Sequence, residues 1–303
     1  MMSLYASGQM RDEASLKATL TAIVLTKNEE VNLPACLESL KNVVDRIVVV
    51  DSYSSDNTCT VAREYGAQVY EHEFVNYGAQ FQWAVDNCAI DSDWVLRIDA
   101  DERLTKDSAD ELVKLCIKNL DTDVNGIVLR FKVRFMGKYL MHGGAYPMRK
   151  LCAFKLGKAY MEQRYMDEQI VLTEGKSVEM SHDLEHEDYK DLTFWIAKHN
   201  WYATRAAKDY LEHRNEHQET SSLDRHSSIL RKLKYGIYYR LPSRLRTWLY
   251  FEYRYLLRGG FLDGRAGYWY AYFQAYWYRT LVDAKIYEAE KNGGIGETGS
   301  LNV

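Results

Sequence analysis

The sequence predicts an α/β fold, a mostly parallel sheet flanked by helices, carrying a helical extension towards its C-terminal end. Short, near-continuous apolar runs rich in Val, Ile and Leu recur at 20–25, 46–50 and 94–98. The first two run into a polar loop and then a stretch of helical character, and the third stops at an acidic loop. Runs of this length and composition read as buried parallel strands. The extension announces itself by composition. Residues 231–289 hold eleven Lys or Arg against four Asp or Glu, together with eighteen aromatic residues, in a 303-residue chain whose net charge is −4.

Taken in order, residues 1–19 read as an N-terminal arm. The first strand, Leu20 to Leu25, ends in Thr26-Lys-Asn-Glu-Glu30, and an amphipathic segment begins near Val31. The second, Arg46 to Val50, ends in Asp51-Ser-Tyr-Ser-Ser-Asp-Asn-Thr58, with a helix expected through Ala62 to Tyr65. The third, from Trp94, stops at Asp99 and Asp101, one residue apart. Open sheets of this kind bind ligands beyond the carboxyl ends of their strands. Thr26, Asn28 and Glu29, then Asp51 and Asp56, then Asp99 and Asp101 therefore gather at one edge. Two carboxylates past a strand end offer hard oxygen ligands to one divalent cation. The competing readings are a solvated acidic loop for the pair, a helix N-cap for Asn28 and a turn-forming role for Asp56.

These segments resemble those of the family-2 glycosyltransferases, whose nucleotide-sugar-binding fold is called GT-A (Rossmann-like). The matching pieces are "LTKNEE", "VVVDSYSSDNT" and "RIDADERL", the last being the DxD metal motif. "NYGAQFQWAVDN", "FMGKYLMHGGAYP", "YMDEQIV" and "WIAKHNWYATRAA" are similar to a bacterial subgroup that builds capsule, O-antigen or exopolysaccharide repeat units. The resemblance covers about 20–210, which sets the expected catalytic domain, with a helical region at 211–290 and a flexible tail at 291–303.

What the resemblance implies is a metal-dependent, inverting transfer of a sugar from a nucleoside-diphosphate sugar, with UDP favoured, to a lipid-linked oligosaccharide. Asp101 would hold Mn2+ or Mg2+, with Asp99 towards the ribose or the metal and His186 as a further ligand. Thr26, Asn28, Glu29 and Asp51 would line the base and ribose pocket, and Arg149 would meet the diphosphate. Glu168 would be the catalytic base, with Asp167 beside it; paired carboxylates raise one another's pKa. Relatives often carry His after this acid pair, where this chain has Gln169. His182 reads as a charged-loop residue, His199 as an ordering residue on a helix, and His142-Gly143-Gly144 as a flexible turn by the acceptor.

Five cysteines, with no CxxC, indicate neither a disulfide framework nor a zinc site. No stretch approaches the ~18 apolar residues of a membrane span, and no apolar core of signal-peptide type is present. The basic, aromatic C-terminal region suits an anionic membrane surface, or else packing on the catalytic domain or a second copy in a homo-oligomer. No nucleic-acid motif accompanies it. The expected place is the cytoplasm, at the inner face of the membrane. Two rivals remain: a nucleotidyltransferase, which calls for a Gly-rich basic loop where this chain has Thr26 to Glu30, and a non-catalytic GT-A-like binding protein, which predicts loss of Asp101 or Glu168.

Overall fold

A computed structural model describes residues 17–162, 164–166, 168–214 and 225–294. The N-terminal half alternates strand and helix: β1 (Leu20–Thr26), α1 (Leu33–Leu40), β2 (Arg46–Asp51), α2 (Thr58–Glu64), β3 (Gln68–Glu71), α3 (Tyr77–Asn87) and β4 (Trp94–Arg97). β5 (Glu102–Arg103), α4 (Lys106–Lys118), β6 (Val124–Phe135), β7 (Lys138–Tyr139) and β8 (Met148–Lys155) follow. Then come β9 (Ala159–Met161), β10 (Ile170–Leu172), β11 (Lys176–His186) and α5 (Leu192–His213).

The main sheet runs β3-β2-β1-β4-β8-β6-β11-β5, with β7 paired to β6. Its first four strands are parallel, as the apolar runs predict. β8 enters antiparallel to β4, and β6 antiparallel to β8. Alternation along the strands divides the core in two. Ala22, Val24 and Val49 pack with Leu33 and Leu37 of α1 and Leu112 of α4. Ile23, Val48 and Val50 pack on the other face with Phe81 and Ala84 of α3. Three parallel strands therefore release their loops at one edge, between two helical layers.

Two local devices fix the site's frame. Thr105 caps α4 through a reciprocal bond with Ser108, ending the acidic loop at a defined point. Asp191 caps α5 by accepting from the Phe194 N–H, so this helix starts directly beyond β11. α5 runs continuously across position 210, and its Ala203, Ala206 and Ala207 pack on Tyr278, Val282 and Ile286 of a later helix. The C-terminal region thus shares a core with the end of the catalytic segment.

That region comprises α6 (Arg225–Gly236), α7 (Ser243–Glu252), α8 (Gly264–Ala271) and α9 (Tyr278–Asn292), with π-helical turns at Tyr253–Leu257 and Tyr272–Trp277. Among the described residues no helix is long and apolar enough to cross a membrane. All five cysteines are free.

Candidate active site

The acidic loop is built by its own backbone. The Asp99 N–H donates to Glu102 Oε2 at 3.0 Å, and the Glu102 N–H returns to the Asp99 carbonyl at 2.9 Å. β5 pairs antiparallel with the end of β11, setting His186 opposite Glu102, and the Glu187 N–H donates to the Asp101 carbonyl at 2.9 Å. This register brings His186 Nε2 to 3.8 Å from Asp101 Oδ2. It also leaves His186 Nδ1, buried, 3.6 Å from Glu102 Oε1 and without a hydrogen-bond partner.

Three lysines surround these acids. Lys150 on β8 donates to Glu102 at 2.7 Å and lies 3.5 Å from Asp99 Oδ2. Lys198 on α5 sits 3.5 Å from Asp101 Oδ2 and 3.6 Å from Asp188. Lys190 donates to Glu29 at 2.9 Å. Asn32 ties the two ends together, giving its amide hydrogens to Glu29 and Asp188. Asp99 also accepts a hydrogen bond from the Tyr77 hydroxyl. The result is one chain of alternating charge running from Glu29 to Asp99.

Burial penalises the charges of Asp101, Glu102, His186 and Glu29, and the opposite charges beside them answer it in whole or in part. Burial pushes the Asp101 carboxyl up, but His186, Lys198 and Lys150 outweigh it and hold the group well below the usual carboxylate range. Glu102 is lowered too, by Lys150 and His186 against burial. His186 is raised, because the Asp101 and Glu102 charges overcome its desolvation. Glu29 goes the other way: burial raises it, and Lys190 and Lys198 compensate only in part.

The first two loops are tied to each other. The Thr26 hydroxyl donates to Asp51 Oδ2 at 2.8 Å, while the Ser54 hydroxyl donates to the same oxygen and the Ser54 N–H to Oδ1. Asp51 and Thr26 are buried, and their polar atoms are committed to this junction. Asn28 adopts φ 54°, and its side chain accepts from the Ser55 N–H rather than capping the next helix. Asp56 accepts from the Thr58 and Glu30 N–H groups, the turn role expected of it. Of the expected donor-pocket residues in these two loops, Glu29 is the one that reaches the charged chain.

Arg149 faces away. Its guanidinium donates to Glu179 at 2.7 Å, on the side of the sheet where Arg130 also pairs with Glu179. Neighbouring residues of a strand point to opposite faces, so the cation delivered to the acids is Lys150. His182 bonds Glu111, outside the cluster. His199 stacks on Trp195 and bridges the Trp195 carbonyl to Gln274. Burial drops its pKa to about 4, so it is a neutral ordering group.

Glu168 is half-buried, and its charge acts on Arg205 of α5; Asp167 lies outside the described residues. Burial pulls the Arg205 guanidinium down while Glu168 pulls it up. Arg205 is seven residues beyond Lys198, two turns along the same helical face and roughly 10 Å away. One face of α5 therefore spans from Asp101 to Glu168. Sequence reading missed Lys150, Lys190, Lys198 and Glu102; only Glu102, the third acid of "DADE", carried a visible signal.

The residues present suit a divalent ion. Carboxylate oxygen with imidazole is a donor set that accepts Mn2+. The 3.8 Å between the Asp101 and His186 ligand atoms lies within twice a metal–ligand distance of ~2.1 Å. A second cluster, Asp51, Cys59 and Glu71, brings three ligand atoms within 4.8 Å of one another, in the junction between the first two loops rather than at the acidic loop. Asp51 already accepts from Ser54 and Thr26, and burial together with the adjacent Asp51 carboxylate raises the Cys59 thiol to about 11.

Residues 21–166 match the family described as Glycosyl transferase family 2. The chain carries a glycosyl transferase family 2 domain. An uncharacterized glycosyltransferase of Rickettsia conorii is 40% identical to it over 98 residues, 32% of this chain and 34% of that protein. The lipopolysaccharide core biosynthesis glycosyltransferase LpsC of Rhizobium meliloti is 37% identical over 95 residues, 30% of this chain and 34% of LpsC. These matches span about a third of the relatives' length. Among solved structures, the mannosyltransferase PcManGT of Pyrobaculum calidifontis, in complex with GDP-Man and Mn2+, is 16% identical with a TM-score of 0.53. The similarity covers 90% of this chain and 88% of that one, so the sheet with its flanking helices has a GT-A-like fold, to which the C-terminal helices are appended.

Proposed function

We propose that this chain is a metal-dependent, inverting glycosyltransferase. It moves a sugar from a nucleoside-diphosphate sugar, UDP favoured, to a lipid-linked saccharide in bacterial surface polysaccharide synthesis, at the inner face of the cytoplasmic membrane. The observation that carries the reading is the meeting of Asp101 and His186 at the carboxyl edge of the parallel strands, with Lys198 beside Asp101 and Lys150 between Asp99 and Glu102. LpsC and PcManGT support the polysaccharide and nucleotide-sugar parts by their names alone.

Asp101 and His186 would hold Mn2+ or Mg2+, with Asp99 towards the ribose or the same ion. When bound, the ion neutralises negative charge growing on the leaving diphosphate. Lys198 and Lys150 would add positive charge beside the same phosphates, held in place before the reaction. Thr26, Asn28 and Asp51 would form the rigid floor of the base and ribose pocket, with Glu29 at its rim. Glu168 would take the proton of the acceptor hydroxyl as that oxygen attacks the anomeric carbon from the side opposite the diphosphate, with Asp167 adjacent. Arg205 would keep positive charge next to Glu168 and close the acceptor side.

The test is a donor screen with a lipid-linked saccharide acceptor, read by product mass and linkage. Transfer from one nucleotide sugar, dependent on Mn2+ or Mg2+ and inverting the anomeric centre, is expected. Nucleotidyl transfer from a nucleoside triphosphate to a sugar phosphate would contradict it.

A further inference from the structure

Helix α7 is inside out. Its Arg246 and Thr247 are buried, with Arg246 clamped to Asp283 of α9, while Leu245, Trp248 and Leu249 face solvent. An ordinary surface helix buries its apolar stripe and exposes its charges. The stripe continues through the π-turn, where Leu256 is 51% and Leu257 80% exposed. It reaches the tip at Gly260–Asp263, where Phe261 and Leu262 are 48% and 58% exposed. Positions 245, 248, 249, 256 and 257 follow helical spacing, so they form one contiguous surface rather than scattered apolar residues.

The charges around this surface are of one sign. Between residues 232 and 276 the side chains of Lys232, Arg240, Arg244, Arg258 and Arg265 are exposed. The only acids in that span are Glu252, half-buried, and Asp263, buried. Apolar and Trp or Tyr side chains edged with Arg suit the headgroup layer of an anionic bilayer, where the rings sit among headgroups and the cations meet phosphate. A second copy of the same face fits poorly, because a two-fold contact would bring the same cations together.

We infer that the surface formed by α7, the turn Tyr253–Leu257 and the tip Gly260–Asp263 docks in the plane of an anionic lipid bilayer. This deepens the reading of a lipid-linked acceptor and rests on it for its purpose. The docked surface is welded to the catalytic sheet. The Gly143 N–H donates to the Arg258 carbonyl at 2.9 Å, and the Arg254 guanidinium donates to the Gly143 carbonyl at 2.6 Å. The His142 N–H and ring both bond Asp263. The turn His142-Gly143-Gly144, expected to be flexible, is thereby held, and the chain leads from it into β8 with Lys150. Docking sets the height and tilt of the acidic site above the lipid.

The experiment is flotation of the full chain with vesicles of phosphatidylcholine alone, or mixed with anionic phosphatidylglycerol. The wild type is expected to float with the mixed vesicles, about tenfold less with the neutral ones, and less as salt rises. Replacing Leu256→Asp and Leu257→Asp together, or Arg244→Glu with Arg265→Glu, is expected to cut binding by about tenfold or more while UDP binding with Mn2+ is unchanged. A wild type that stays off both vesicles, or variants that float as it does, would overturn the proposal. Light scattering without lipid is expected to show a monomer; a dimer dissolved by the Leu256/Leu257 changes would assign the face to a second copy and overturn it too. Failure of the wild type to bind any nucleotide counts against the transferase reading and leaves the vesicle result standing.

Discussion

Lys198 Nζ, on α5, stands 3.5 Å from Asp101 Oδ2, on the loop after β4, so an ammonium already neutralises the carboxylate expected to hold a divalent ion. Burial works against the Lys198 charge, but Tyr202, Asp101, Asp188 and Glu29 raise its pKa well above the ordinary value. Lys198→Met removes that cation from a site rich in acids. The apo protein is expected to lose about 1–3 kcal/mol of stability, while the gain in melting temperature on adding Mn2+ becomes larger than in the wild type. UDP affinity in the presence of Mn2+ is expected to fall about tenfold. A smaller Mn2+ shift in the variant would show that Lys198 does not share the ion's position.

Glu168 is the expected base, joined to the acidic site through the Lys198–Arg205 face of α5. Glu168→Gln keeps size and hydrogen-bonding capacity but cannot take a proton. It is expected to lose roughly 10²–10⁴-fold in kcat, with UDP affinity measured by calorimetry unchanged. A variant with near wild-type kcat would remove Glu168 from this role.

Gly267 lets α8 pack onto the tip that carries Phe261 and Leu262. A Cβ there would lie 2.1 Å from the Gly260 carbonyl oxygen and 2.7 Å from Asp263 Cβ. Gly267→Ala is expected to cost about 1–3 kcal/mol by denaturant titration. Because Asp263 holds His142, hydrogen exchange at His142 and Gly143 is expected to speed up with it. A neutral substitution would mean the tip yields without disturbing the loop.

Glu111 links α4 to the middle of β11, where that strand's register on β6 shifts. Burial raises its carboxyl, but bonds from the Ser181 hydroxyl and from the Ser181 and His182 N–H groups overcome this and lower it from 4.5 to about 2. A carboxyl depressed in the folded state contributes stability in full above its unfolded pKa, and that stability is lost as pH falls towards the folded value. Glu111→Gln is therefore expected to be about 1–3 kcal/mol less stable at pH 7, with the gap closing between about pH 4.5 and 2. A gap independent of pH would contradict the assignment.

Much of this was legible in the residues. The Val-rich runs placed β1, β2 and β4, and their loops placed the acids, because a buried parallel strand leaves little ambiguity about where it ends. His186 was reached by its resemblance, but the reason it meets Asp101 is the β5–β11 register, a pairing of segments some eighty residues apart that no local pattern announces. Arg149 and Lys150 show the same limit at closer range. Both are cations on one strand, and only the pleat decides which faces the acids. Thr26, Asn28 and Asp51 read in the sequence as pocket-lining residues, and the structure shows their side chains also joining the two loops. The basic aromatic region was visible as composition; that α7 buries its Arg246 and exposes its leucines was not.

If Asp101, with Asp99 and His186, holds a divalent ion, nucleotide binding depends on that ion. Calorimetry of UDP binding with and without Mn2+, on the wild type and on Asp101→Asn, tests it most directly. Measurable UDP affinity is expected for the wild type with Mn2+, a loss of about tenfold or more without it, and an Asp101→Asn variant that stays folded but gains nothing from the ion. Equal UDP affinity in the presence and absence of Mn2+, or an Asp101→Asn variant as responsive as the wild type, would contradict it.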